Sequence, residues 1–126
     1  MSTAYVDTSA IASVVLRDPG WEDVAQRIGA FSSIISSNLL EAELRAACYR
    51  ERVPFSNDLL LGIDWVIPTR TLGPEFEMSY AGGYLRGADL WHVATALYAV
   101  QDPSVVAFLT LDNDQRAVAV ALGFQT

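Results

Sequence analysis

Four acidic side chains, Asp7, Glu43, Asp89 and Asp112, stand where a carboxylate either does chemistry or needs a structural explanation. Glu43 is the most informative. In NLLEAELRAACYRER (38–52), read as a helix, Leu40, Leu44, Ala47 and Cys48 form the apolar stripe, and Glu43 falls inside it. Residues two apart on a helix face nearly opposite ways, so only one of Glu41 and Glu43 can serve a common site. Glu41 lies four before Arg45 and three after Asn38, which predicts an ion pair and an Asn38-x-x-Glu41 capping box. Glu43 has no such partner, and a carboxylate on a buried face is costly unless paired, protonated or metal-bound.

Each of the other three acids has a structural reading when taken alone. Asp7 ends a β-rich run and suits an Asx turn. Asp89 borders the stripe Leu90, Val93, Ala94 and Leu97, and suits the positive end of a helix dipole. Asp112-x-x-Gln115 is a capping box. Taken together they are harder to dismiss, because no Lys is present to neutralise them. Four acids from four elements at one edge repel each other and call for a divalent cation. Oxygen-only ligation points to Mg²⁺ or Mn²⁺, and one Cys with one His cannot supply the usual zinc ligands. The natural chemistry is two-metal-type phosphodiester hydrolysis, in which one ion activates water and the other steadies the leaving oxygen.

The elements that must position these acids alternate between strand and helix signals. TAYVD (3–7) reads as a strand, SAIASVVL (9–16) as a helix, and Asp18-Pro19-Gly20 as a turn. A helix over 21–31, a strand over 33–37 and the helix over 38–52 follow, the last ended by Val53-Pro54. Beyond it lie a weaker helix in SNDLLLGI, a strand in WVIP (65–68) and a poorly patterned helical stretch broken by Gly82-Gly83. GADLWHVATALYAV (87–100) is the strongest helical signal. SVVAFLTL (104–111) is the longest strand candidate, and NDQRAVAVALGF forms a last helix with Gly123 at its C-terminus. Such alternation implies an α/β fold, a central mainly parallel sheet covered on both faces, with ligands bound beyond the carboxyl ends of the strands. Asp7 and Asp112 end strands at that edge.

At 126 residues the chain reads as a single domain, 1–126. No apolar stretch reaches the ~20 residues of a membrane span. MSTAYVDTSA lacks the basic and apolar regions of a secretory signal, and the lone Cys48 forms no internal disulfide; both point to the cytoplasm and away from the membrane. The net charge is −7, from 15 acidic residues and 8 basic ones, all Arg. The missing Lys excludes Schiff-base chemistry and the P-loop, and weighs against a receiver domain. Nucleic acid must then be met by local arginines, a metal or a partner. Arg45, Arg86 and Arg116 lie near the acids in sequence; each is a candidate phosphate contact and equally a candidate solvated surface charge. His92, one turn after Asp89, reads as a packed, hydrogen-bonded core histidine, and Trp21, Trp65 and Trp91 read as packing rather than stacking residues.

Four segments, YVDTSAIASVVL, ISSNLLEAELRAA, LRGADLWHVATAL and FLTLDNDQRAVAVALGF, resemble in order and spacing the PIN-domain family, most closely the toxin nucleases of VapBC toxin–antitoxin pairs. The resemblance implies a PIN-like three-layer α/β/α sandwich. Carried over residue by residue, it implies a metal and catalytic set of Asp7, Glu43, Asp89 and Asp112, with Asp114 as a possible fifth acid and Thr8, Ser9 and Thr110 as hydroxyls around the metal. It further implies Mg²⁺- or Mn²⁺-dependent cleavage of single-stranded RNA, tRNA or rRNA being the usual targets. A homodimer and inhibition by a VapB-type antitoxin, whose tail enters the groove, are implied as well. Two other readings fit the residues: a PIN-domain RNA-processing nuclease without an antitoxin, and a non-catalytic interaction module whose acids serve caps and an interface. A side chain committed to capping is poorly placed to hold a metal directly. Asp112 is therefore expected to act through a water, with Asp114 as its helper.

Overall fold

A computed structural model describes residues 2–126. Four strands form one sheet in the order β3-β2-β1-β4: β1 Thr3–Val6, β2 Ser33–Ser37, β3 Ile63–Val66 and β4 Val106–Leu109. Every pairing is parallel, so the sheet is parallel throughout, and all strands deliver their carboxyl ends to one edge. Strand order reverses beside β1, because β2 and β3 extend to one side and β4 to the other. The crevice between the ends of β1 and β4 is thus the switch point, where open α/β sheets bind ligands.

Six α-helices cover the sheet: α1 Thr8–Val15, α2 Trp21–Gly29, α3 Leu39–Glu51, α4 Gly73–Tyr80, α5 Gly87–Ala99 and α6 Asn113–Ala121. The strands alternate between the two faces, as period-2 side chains must. Tyr5 and Phe108, paired in register and stacked at 5.1 Å, join Leu90, Val93, Val118 and Ala119 under α5 and α6. Ala4, Val6, Ala107 and Leu109 face the other way, against Leu40, Leu44 and Cys48 of α3 and the flanks of α1 and α2. The result is a three-layer α/β/α sandwich. Among the described residues, no helix is long and apolar enough to cross a membrane.

Several local expectations are corrected. The strand expected over 104–111 is confined to 106–109, because Pro103–Val105 form a 3₁₀ turn capped by Asp102. The weak helix in SNDLLLGI is likewise a single 3₁₀ turn, Asn57–Leu60, too short to repay α-helix nucleation. β3 starts two residues before the expected strand. Asn38 does not cap α3: it is already helical, and the Leu39 N–H is satisfied by Ser37 Oγ at 3.0 Å. The segment entering α5 is pinned to α6. A Cβ on Gly82 would lie 3.1 Å from Val118 Cγ1 and 3.2 Å from its carbonyl oxygen, and Gly83 adopts φ +136°.

Candidate active site

Asp7 follows β1 directly and caps α1. Its residue is only 3% exposed, so the carboxylate is taken out of water at the switch crevice. Oδ1 accepts from the Ala10 N–H at 3.1 Å and from Ser9 Oγ at 2.8 Å, while Oδ2 lies 2.8 Å from Thr110 Oγ1. Burial pushes its pKa above the ordinary aspartate value, and the bonds from Thr110, Ser9 and Ala10 oppose the rise. Thr110 makes the strain legible. Its one hydroxyl proton faces two acceptors at 2.8 Å, Asp7 Oδ2 and Gln115 Oε1. The Gln115 amide is oriented by its Nε2–H bond to the Asp89 carbonyl, and the Thr110 oxygen already accepts from the Asp112 N–H. A proton on Asp7, or a cation beside it, relieves that conflict.

Asp112 caps α6 through Oδ1, which accepts from the Gln115 N–H at 2.8 Å, so only half of the expected capping box forms. The reciprocal arm is missing because Gln115 is fully buried and bonded to Thr110 and Asp89 instead. Asp89 sits in the first turn of α5, half-buried, and its carboxylate accepts no hydrogen bond among the described residues. Its pKa is raised by burial first, then by the charges of Asp112 and Asp7. Asp89, in α5, is thus within reach of the charges of Asp7, at the β1–α1 junction, and of Asp112, at the β4–α6 junction. Asp89 and Asp112 share a cleft with Asp114, Arg86, Leu85 and Tyr84.

Glu43 behaves differently. Its side chain is 34% exposed, at the rim rather than inside the core. Thr8 Oγ1 donates to Oε1 at 2.6 Å, and His92 Nε2 meets the same oxygen at 2.9 Å. The His92 bond holds its pKa below the ordinary glutamate value against the effect of burial. Glu41 makes the expected exposed pair with Arg45 at 2.8 Å.

The three arginines separate as well. Arg45 is engaged by Glu41 and Asn57 and lies over the Phe55 ring. Arg116 bonds Asn113 and the Thr110 carbonyl. Arg86 alone of the three is engaged with no acid or acceptor among the described residues, and it lines the acidic cleft. Two residues outside the expected set belong to the site: His92, buried and in contact with Glu43, and Tyr5 behind it. Trp91 donates to Ser37 Oγ and packs on Phe76, in keeping with a packing role.

A family model for the PIN domain matches residues 4–121. The chain belongs to the PIN-domain family. PIN domains are generally metal-dependent nucleases that typically use Mg²⁺ or Mn²⁺. The comparison with curated proteins and the comparison with solved structures each gave no match.

The donor chemistry of this PIN domain suits a hard divalent cation. It offers oxygens only, two carboxyls carry raised pKa values, and Thr110 has one acceptor too many. Among the described residues, no three His, Cys, Asp or Glu side chains form a group that could hold a metal ion as they stand. The reason is visible in the bonds: Asp7, Glu43 and Asp112 are each turned towards protein donors. The acids are brought to one edge without being closed into a ligand shell.

Proposed function

We propose that this PIN domain is a metal-dependent endoribonuclease and the toxin of a VapBC-type pair. In this reading, residues 1–126 act as one domain, assemble as a homodimer and cleave cytoplasmic tRNA or rRNA. A cognate VapB-type antitoxin restrains them. The observation that carries the reading is the gathering of Asp7 and Asp112 around Asp89 at the switch crevice, close enough for their charges to raise the Asp89 pKa, with no Arg paired to any of the three among the described residues. Such a field repels an RNA phosphate unless a cation intervenes, and it attracts an arginine of a basic antitoxin tail, which can pair bidentately with carboxylates.

Asp7, Glu43, Asp89 and Asp112 would hold Mg²⁺ or Mn²⁺, with Asp114 assisting from the rim of the cleft. When bound, the ion supplies charge neutralisation at the phosphate and a lowered pKa for water. Ser9 and Thr110 hold Asp7 in place, and Thr8 holds Glu43. Glu43, tied down by Oε1, keeps Oε2 for the proton of the attacking water. Arg86 meets a phosphate of the strand. Cleavage then proceeds by in-line displacement, with no covalent enzyme intermediate.

Chelator-treated protein incubated with single-stranded RNA tests this. Cleavage is expected only after Mg²⁺ or Mn²⁺ is restored, is lost in Asp7→Asn and is retained in Glu41→Gln. Metal-independent cleavage, or full activity in Asp7→Asn, contradicts the reading.

A further inference from the structure

Behind Glu43 lies a buried polar chain that the acidic set does not include. Tyr5 is fully buried in β1 and His92 is 2% exposed in α5, yet each is hydrogen-bonded. The Ser37 N–H donates to Tyr5 Oη at 3.1 Å, Tyr5 Oη lies 2.7 Å from His92 Nδ1, and His92 Nε2 lies 2.9 Å from Glu43 Oε1. The chain runs from the sheet core to the rim of the site, joining β1, α5 and α3.

We infer that Tyr5 and His92 are a positioning pair that fixes Glu43 by one carboxylate oxygen and leaves the other free for the reaction. This role rests on the nuclease reading above. Counting protons gives the direction of every bond. Tyr5 Oη receives the Ser37 N–H, and among the described residues the acceptor in reach of its own single proton is His92 Nδ1, 2.7 Å away; a proton on Nδ1 would leave the phenol proton without a partner. A His92 that accepts at Nδ1 is neutral and carries its proton on Nε2, which therefore donates to Glu43 Oε1. Thr8 Oγ1, 3.2 Å from His92 Nε2, cannot donate to a nitrogen that carries its own proton and instead adds a second donor to Glu43 Oε1 at 2.6 Å, while Oε2 receives none among the described residues. Without the Tyr5 hydroxyl the ring is free to carry its proton on Nδ1 instead, and a bare Nε2 lone pair would then face a carboxylate oxygen. The tyrosine thus acts on Glu43 through the tautomer of the histidine. A histidine serving only as core filling needs no particular tautomer and no carboxylate partner.

His92 is the only histidine in the chain, so its ring nitrogens can be read without ambiguity in protein labelled with ¹⁵N-histidine. The expected spectrum at neutral pH is that of the Nε2–H tautomer, giving way to a mixture in Tyr5→Phe. In the cleavage assay, His92→Ala and Tyr5→Phe are expected to lower kcat by about 10–100-fold, the usual scale for partners that orient a site group. KM for RNA should stay within about two-fold, because neither residue reaches the strand. His92→Gln, which restores an N–H donor, should recover part of the loss. An Nδ1–H or doubly protonated ring in the wild type overturns the pair, as does an unchanged kcat in folded His92→Ala or Tyr5→Phe. Should the wild type fail to cleave RNA, the nuclease reading falls with it, whereas the tautomer result still reports separately on the pair.

Discussion

The two sides of the acidic edge are built on opposite principles. On the α3 side, Glu43 is supplied with donors: Thr8 and His92 converge on one oxygen and hold its pKa low. On the β1–β4 side, Asp7, Asp89 and Asp112 gather with no Arg or His paired to them among the described residues; burial raises the pKa of Asp7, and burial together with the charges of Asp112 and Asp7 raises that of Asp89. One side is an oriented anion. The other is a cluster of carboxyls with no cationic partner among the described residues. In the proposed nuclease reading, this contrast sets the cation chiefly against the aspartates and leaves the free Oε2 of Glu43 to take a proton.

The largest effects should come from the aspartates. Asp7→Asn and Asp89→Asn are each expected to cut RNA cleavage by at least ~100-fold, the scale for losing a group that acts on the reacting atoms. The same changes should raise thermal stability in metal-free buffer. A carboxyl whose folded pKa is raised contributes stability below its ordinary pKa and loses it as pH rises through the raised value, so at neutral pH the charge is a burden. A melting series that shows lower stability for Asp7→Asn at neutral pH would break the contrast.

Glu43→Gln should also abolish cleavage, with the opposite effect on the fold. A lowered pKa contributes stability above the ordinary glutamate value and loses it as pH falls through the lowered one. Wild type should therefore lose stability in acid by an increment that Glu43→Gln lacks. Equal acid sensitivity in the two proteins counts against the His92 contact.

Arg86→Gln should weaken RNA binding several-fold and reduce the slope of log affinity against log salt by about one unit, measured by fluorescence anisotropy. Arg45→Gln and Arg116→Gln should do less, since their guanidinium groups already serve Glu41 and Thr110. Smallest of all is Glu41→Gln, which removes an exposed pair worth under about 1 kcal/mol and should leave cleavage unchanged.

Much of this contrast is legible in the sequence because it follows local rules. The strand over 33–37, the long helices α3 and α5 and the pairing of Glu41 with Arg45 come from periodicity and spacing alone. Gly123, just past α6 with φ +100°, follows C-cap chemistry. What escapes is non-local. Ser37 displaces Asn38 as the cap of α3 because β2 delivers its hydroxyl there. Gln115 abandons the capping box for Thr110 and Asp89, partners supplied by β4 and α5. Tyr5 and His92 are 87 residues apart, and only the sheet brings them together. A tyrosine in an otherwise small-residue buried strand two before Asp7, and a histidine three after Asp89, are the traces that sequence offers.

In the proposed reading, a divalent cation completes the aspartate side of the edge. Titration of metal-free protein with Mn²⁺, followed by the paramagnetic signal of the free ion, tests it most directly. Saturable binding to the wild type, a rise in its melting temperature, and loss of both in Asp89→Asn are the expected results. No saturable binding to the wild type, or equal binding to Asp89→Asn, would contradict it.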